Sequence, residues 1–200
     1  MSLLALLNSA QGGDGVAALG RAFGLDATKS GELAALLAPA IGSAAKKRAE
    51  AGQADLIARQ LLGEREAAFF DDAAQAAQPE GRAQGARFLD ETLGSQEARN
   101  RLADEGARRT GVDSGTVADF LPAIAAMLQG GMQRQMPDKS LQGLVGGGRS
   151  GGLIGLAMGL LGGRGRGRGQ GSELGMLTAL LDRDGDGSVL DDVVESFLRR

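Results

Sequence analysis

Two prolines interrupt what would otherwise be continuous helical stripes, and they do so in similar settings. In the segment 110–135, Val117, Phe120, Leu121, Ile124, Met127 and Leu128 fall at i, i+3, i+4, i+7, i+10 and i+11. That spacing draws one apolar stripe down a helix. Gly111 can end a preceding helix, and Asp113 or Ser114 can cap the new one. Pro122 donates no N–H, and its ring crowds the carbonyl of Ala118. A bend is therefore expected, and in an ordinary helix interior the cost is roughly 3 kcal/mol. The stretch FGLDATKSGELAALLAPAI, residues 23–41, repeats the arrangement: Gly24, Leu25 and Asp26, then Leu33, Leu36, Leu37 and Ile41 around Pro39. Two copies of so unusual a feature predict a repeated helical unit.

The rest of the composition agrees with an all-α fold. Ala and Gly are abundant, and the aromatics are six Phe with no Trp or Tyr, so a core must come from Leu, Ile, Val, Met and Ala. No run alternates as a β-strand would. There is no Cys and no His. This removes disulfide and thiolate chemistry and fits a reducing compartment. The start, MSLLALLNSAQGG, lacks a basic region and has only five apolar residues before Asn8, so it reads poorly as a secretory signal and cytoplasmic residence is expected.

Along the chain, residues 2–8 read as a short apolar helix, and Asp14 is a candidate cap for a helix carrying Val16, Leu19 and Phe23. Lys46, Lys47 and Arg48 close the first Pro-broken helix, where cations meet the negative end of its dipole. Residues 53–77 read as one longer helix with Leu56, Ile57, Leu61, Ala68 and Phe69 or Phe70 inward, ended by Pro79-Glu80-Gly81. Asp71 and Asp72 are adjacent, so on a helix they point some 100° apart and suit a solvated face better than an acid/base pair. From Gly85 a second unit carries Phe88, Leu89 and Leu93, then Ser95 capping QEARNRLADEGARRT.

The stretch GARFLDETLGSQEARNRLADEGARRTGVDSGTVADFLPAIAAMLQGGMQRQ, together with the earlier copy, resembles the repeat-bearing domain of the YidB-like family of bacterial proteins of unknown function. Its marks are a helix ending in L-G-S, a small-residue helix, then T-G-V-D and an F-L-P-A-I segment. The resemblance covers roughly residues 1–140, and the acidic tail after a Gly-rich spacer is also similar to tails in that family. It implies an all-α fold with a homeodomain-like arrangement of helices, in units of about 1–50 and 85–136 joined by helix 53–77. It implies no activity and no catalytic residue. The first copy departs in a four-residue-longer turn after Asp26 and an Ala before Pro39.

Residues 141–171 break the composition. Gly151, Gly155, Gly159 and Gly163 recur every four residues among Leu153, Ile154, Leu156, Met158, Leu160 and Leu161. On a helix this stripe lets another backbone approach, so it predicts close packing or homo-oligomerisation. Its apolar part of about 13 residues spans roughly 20 Å, short of a ~30 Å hydrocarbon core. Gly143–Ser150 is one residue from a Walker A loop, with Arg149 where Lys belongs and no strand before it. Arg164, Arg166 and Arg168 alternate with Gly; the run reads first as a solvated linker and second as a nucleic-acid contact. The charge is partitioned: residues 1–140 carry net −3, 141–171 net +4 and 172–200 net −4.

The tail, 172–200, reads as helix, acidic loop, helix. Asp182, Asp184 and Asp186 occupy positions 1, 3 and 5 of a calcium loop, with Gly187 at the sharp turn and Ser188 offering a carbonyl. The loop resembles half of an EF-hand or a dockerin-type loop. Position 12 is Val193 instead of the bidentate Glu, leaving Asp191 or Asp192 to substitute, so a weak single calcium site is expected. Asp and Gly also make good turns without a metal. The combined expectation is a non-enzymatic interaction or scaffold protein. No Ser or Lys stands beside an activating base, and His and Cys are absent. The alternative is a nucleic-acid-binding protein using the homeodomain-like unit and the Arg-Gly run. The acidic balance of residues 1–140 and the absence of Arg or Lys from Ser114 to Leu128 weigh against it.

Overall fold

A computed structural model describes residues 2–63, 65–136 and 138 of the chain. Among them every regular element is helical, as expected. The helices are α1 (Leu3–Ser9), α2 (Gly15–Ala22), α3 (Ala27–Arg48), α4 (Ala54–Leu61), α5 (Ala67–Asp71), α6 (Ala73–Ala77), α7 (Pro79–Leu93), α8 (Gln96–Thr110) and α9 (Ser114–Gln135). Buried side chains from every one of them join a single apolar cluster.

The two Pro-broken helices begin in the same way. The Asp26 side chain accepts the N–H of Lys29 at 2.7 Å, and that of Asp113 accepts the N–H of Thr116 at 3.0 Å. Each is preceded by a glycine in the left-handed region, Gly24 at φ 72° and Gly111 at φ 69°, which a β-carbon would disfavour. Both helices continue past the proline for 22 residues in all. The missing N–H of Pro39 and Pro122 orphans the carbonyls of Ala35 and Ala118. Both of these alanines are exposed, so water reaches the freed oxygens and the interior pays no desolvation for them. The four extra residues of the first copy are not a longer loop. Asp26 caps α3 directly, so they add about one helical turn and keep Pro39 on nearly the same face as Pro122.

The copies are seated on one another. The α2 helix runs antiparallel to α9: Gly15 lies against Met127, and the rings of Phe23 and Phe120 meet edge to face with centroids 5.8 Å apart. In the same sense α8 runs antiparallel to α3. Gly106 approaches Leu33 and Leu37, while Lys29 Nζ donates to the Thr110 carbonyl at 2.8 Å. The Arg48 guanidinium lies against Gly94, just ahead of α8.

Three readings of the sequence are corrected. Residues 53–77 are not one helix but α4, α5 and α6. Gly63 turns the chain at φ 100°, and Asp72 leaves the helix (φ −137°, ψ 100°) to cap α6 through the N–H of Ala74 at 2.9 Å. Pro79-Glu80-Gly81 does follow the end of a helix, α6 at Ala77, but it is not a loop: Pro79 opens α7 at the first position, where its lack of an N–H costs nothing. Asp14 precedes α2 without a side-chain cap bond. Ser95 does cap α8, accepting the N–H of Ala98 at 3.1 Å.

Candidate functional site

The second half of α9 gathers the most elaborate polar arrangement among the described residues. It forms because α9 is buried nearly all round, 14 of its 22 residues against 10 of 22 in α3. Small residues make this possible. A Cβ at Gly85 of α7 would sit 1.8 Å from the Pro122 carbonyl oxygen, and one at Gly130 would sit 2.2 Å from that of Glu66. Gly131 likewise faces Phe70 and Leu6. Such close crossings bring α7 and α5 against α9 from different sides.

With its neighbours so near, each polar side chain in the last turns of α9 must find a partner. Gln129 is fully buried; its Nε2 donates to the Gln60 carbonyl at 2.5 Å, and its Oε1 accepts from Gln84 Nε2 at 3.4 Å. Gln133 Nε2 donates to Glu66 Oε2 at 2.7 Å. Arg134 pairs with the Asp71 carboxylate, and Gln11 Nε2 donates to the Asp71 carbonyl at 3.1 Å. Asp138 Oδ1 accepts the N–H of Gly63 at 3.1 Å. Amides, carboxylates and one guanidinium fasten α4–α6 to α9. Nothing in the spacing of the sequence marked Gln129 or Gln133 as interior.

Elsewhere the charges act in pairs. Arg82 joins Asp119 at 3.0 Å, Arg99 joins Asp90 at 2.8 Å, and the nearly buried Glu105 takes Arg108 and Arg109 from its own helix. Asp71 and Asp72 do separate work, one with Arg134 and the other as a cap outside the helix, so they do not share the helical face on which the sequence placed them. The exposed Glu97 carboxyl is held below its ordinary value of 4.5, first by its own backbone N–H and then by the Ser95 hydroxyl, with a smaller pull from Arg101. Lys46, Lys47 and Arg48 fall in the last turn of α3.

The calcium candidates Asp182, Asp184, Asp186, Ser188, Asp191 and Asp192 lie outside the described residues. So do Arg164, Arg166 and Arg168, the glycines 151, 155, 159 and 163, and the Walker-like loop 143–150. Among the described residues no group of three or more Asp, Glu, His or Cys could hold a metal, and no helix is long and apolar enough to cross a membrane.

The model of a family described as "Bacterial protein of unknown function (DUF937)" matches residues 5–135. The chain belongs to this family. It is the YidB-like family that the T-G-V-D and F-L-P-A-I segments resemble. The family match stops at Gln135, the last residue of α9, so it takes in the polar clasp of Gln129, Gln133 and Arg134 on α4–α6, without Asp138, and leaves out the Gly-rich and acidic segments. No curated protein and no solved structure matches the chain.

Proposed function

We propose that this family member is a non-enzymatic interaction or scaffold protein. Its helical body would present outer faces to a protein partner, and its acidic tail would bind calcium weakly. The observation that carries this reading is the burial of α9. In a helix–turn–helix DNA reader the second helix must stand free to enter the major groove. Here the helix after the short turn at Gly111 is the centre of the core, with Phe120, Leu121, Ile124 and Leu128 fully covered. The outer faces of α3, α7 and α8 are left to meet other molecules. The calcium part rests on the spacing of Asp182, Asp184 and Asp186 alone.

Crosslinking in cells at native expression tests the scaffold reading. Recurrent crosslinks from Lys29, Lys46 or Lys47 to one protein are expected, unaffected by nuclease. Duplex DNA binding by the purified chain at about 50 mM salt, lost steeply by about 200 mM, would overturn it in favour of nucleic acid. Calorimetric titration of calcium into the wild type and into Asp182→Ala/Asp186→Ala checks the tail. Heat is expected only from the wild type, and equal heats remove the metal.

A further inference from the structure

We propose that α4, α5 and α6 act as a latch, swinging off the second half of α9 as one unit while α7, α8 and the first half of α9 stay folded. Three observations point there, and none depends on the chain being a scaffold. The first concerns the joints. Ala49–Gln53 is a wide turn with no buried residue, and Gly52 within it has φ 82° with nothing near its missing Cβ. At the other end Gln78 is exposed and extended before Pro79. Chain can rotate at the first place without repacking a core, whereas at the second Gly81 of α7 lies against the Gln75 and Ala76 backbone, a contact that opening gives up. The second concerns what the latch buries. Its large buried side chains are only Ile57, Leu61 and Phe69, with Ala58, Ala73 and Ala76 beside them, whereas α9 buries Val117, Phe120, Leu121, Ile124, Met127, Leu128 and Met132. Helices of five residues, such as α5 and α6, have little stability of their own. The third is the fastening. The latch is tied to α9 by Gln129 to the Gln60 carbonyl, Gln133 to Glu66 and Arg134 to Asp71. Gln133 Oε1 is buried there without a hydrogen-bond partner, a polar burial that opening relieves. Opening bares Gly130 and Gly131, the two positions that need α5 close by.

Native-state hydrogen exchange of the full chain in rising urea tests this. Amides of α4–α6 should merge into one opening event, well below global unfolding. The variant Gln133→Glu sets a carboxylate against Glu66 and should speed their exchange about tenfold or more, with the amides of Phe88, Leu102 and Phe120 unchanged. Adding Glu66→Gln restores a donor–acceptor pair and should return the rate towards wild type. If Gln133→Glu fails to fold, the exposed Arg134→Ala should raise the same amides about threefold. Exchange of α4–α6 only through global unfolding would overturn the latch. So would residue-by-residue fraying, or an equal response in α7 and α8.

Discussion

Helices α3 and α9 share a capping Asp, a preceding left-handed glycine, an internal proline and a length of 22 residues, yet they end in opposite chemistries. Aligned on their prolines, Gln129, Gly130 and Gly131 of α9 stand where α3 has Lys46, Lys47 and Arg48. The glycines of α9 admit the backbone of Glu66 and the ring of Phe70. The half-buried cations of α3 take the place of any such cover. The same start can thus yield a central helix or a flanking one, and the choice lies in the two turns after the proline. Helix initiation is local, whereas burial depends on whether another backbone can reach the surface.

Exchanging residues between the copies should break this contrast most severely. Gly130→Lys, which imports the α3 residue, drives a charged side chain into the Glu66 carbonyl. It should destabilise the protein by about 4 kcal/mol or more, read as a fall in the urea midpoint. An effect under about 1 kcal/mol would mean that the Glu66 backbone does not press on α9 at Gly130. Next comes Gly85→Ala, whose methyl meets the Pro122 carbonyl and the Ala126 amide. About 3 kcal/mol of lost stability is expected. Gly31→Ala on α3, where nothing lies within 4 Å of the added carbon, should instead gain about 0.5–1 kcal/mol.

The shared starts predict equal effects. Asp26→Ala and Asp113→Ala should each cost about 1 kcal/mol by denaturant unfolding, and a difference larger than that would show that the two caps are not equivalent. The smallest effect separates the helices that precede them, since α8 has a capping Ser95 and α2 has no side-chain cap. Glu97 is depressed in the folded state, so its contribution is complete above 4.5 and is lost as pH falls through the lower folded value. Glu97→Gln should therefore flatten the acid limb of stability in that window, measured as urea midpoints from neutral pH downward. An unchanged limb would show that the helix start does not use the charge.

The caps at Asp26, Asp113 and Ser95 and the turn at Gly111 could be read from the residues because each is a local event, bonding to an amide three residues on or needing no distant partner; Asp14 offers the same local signal and makes no such bond. The apolar stripe of α9 was equally plain. Its full burial was not, since Ala123, Ala125, Ala126 and Gly130 look neutral in any periodicity and become interior only when α7 and α5 arrive. The break of 53–77 was hidden for a related reason. Ala-rich sequence favours helix wherever it stands, and only the demand to fold back across α9 turns Gly63 into a corner and Asp72 into a cap. The glutamines of the clasp were missed because a polar residue at an interior position carries no signal until its partners, Gln60 and Glu66, are beside it.

The reciprocal seating of α2 on α9 and α8 on α3 has a consequence for synthesis. Lys29 meets the carbonyl of Thr110 across 81 positions of sequence, and Phe23 waits for Phe120. Helical proteins ordinarily complete themselves from near neighbours and do so fast. This one cannot close until α9 has left the ribosome: α1 and α2 can pack on α3 early, but Phe23, Leu33 and Leu37 must wait for α8 and α9, a period in which chaperone contact would matter more than for a bundle built from adjacent hairpins.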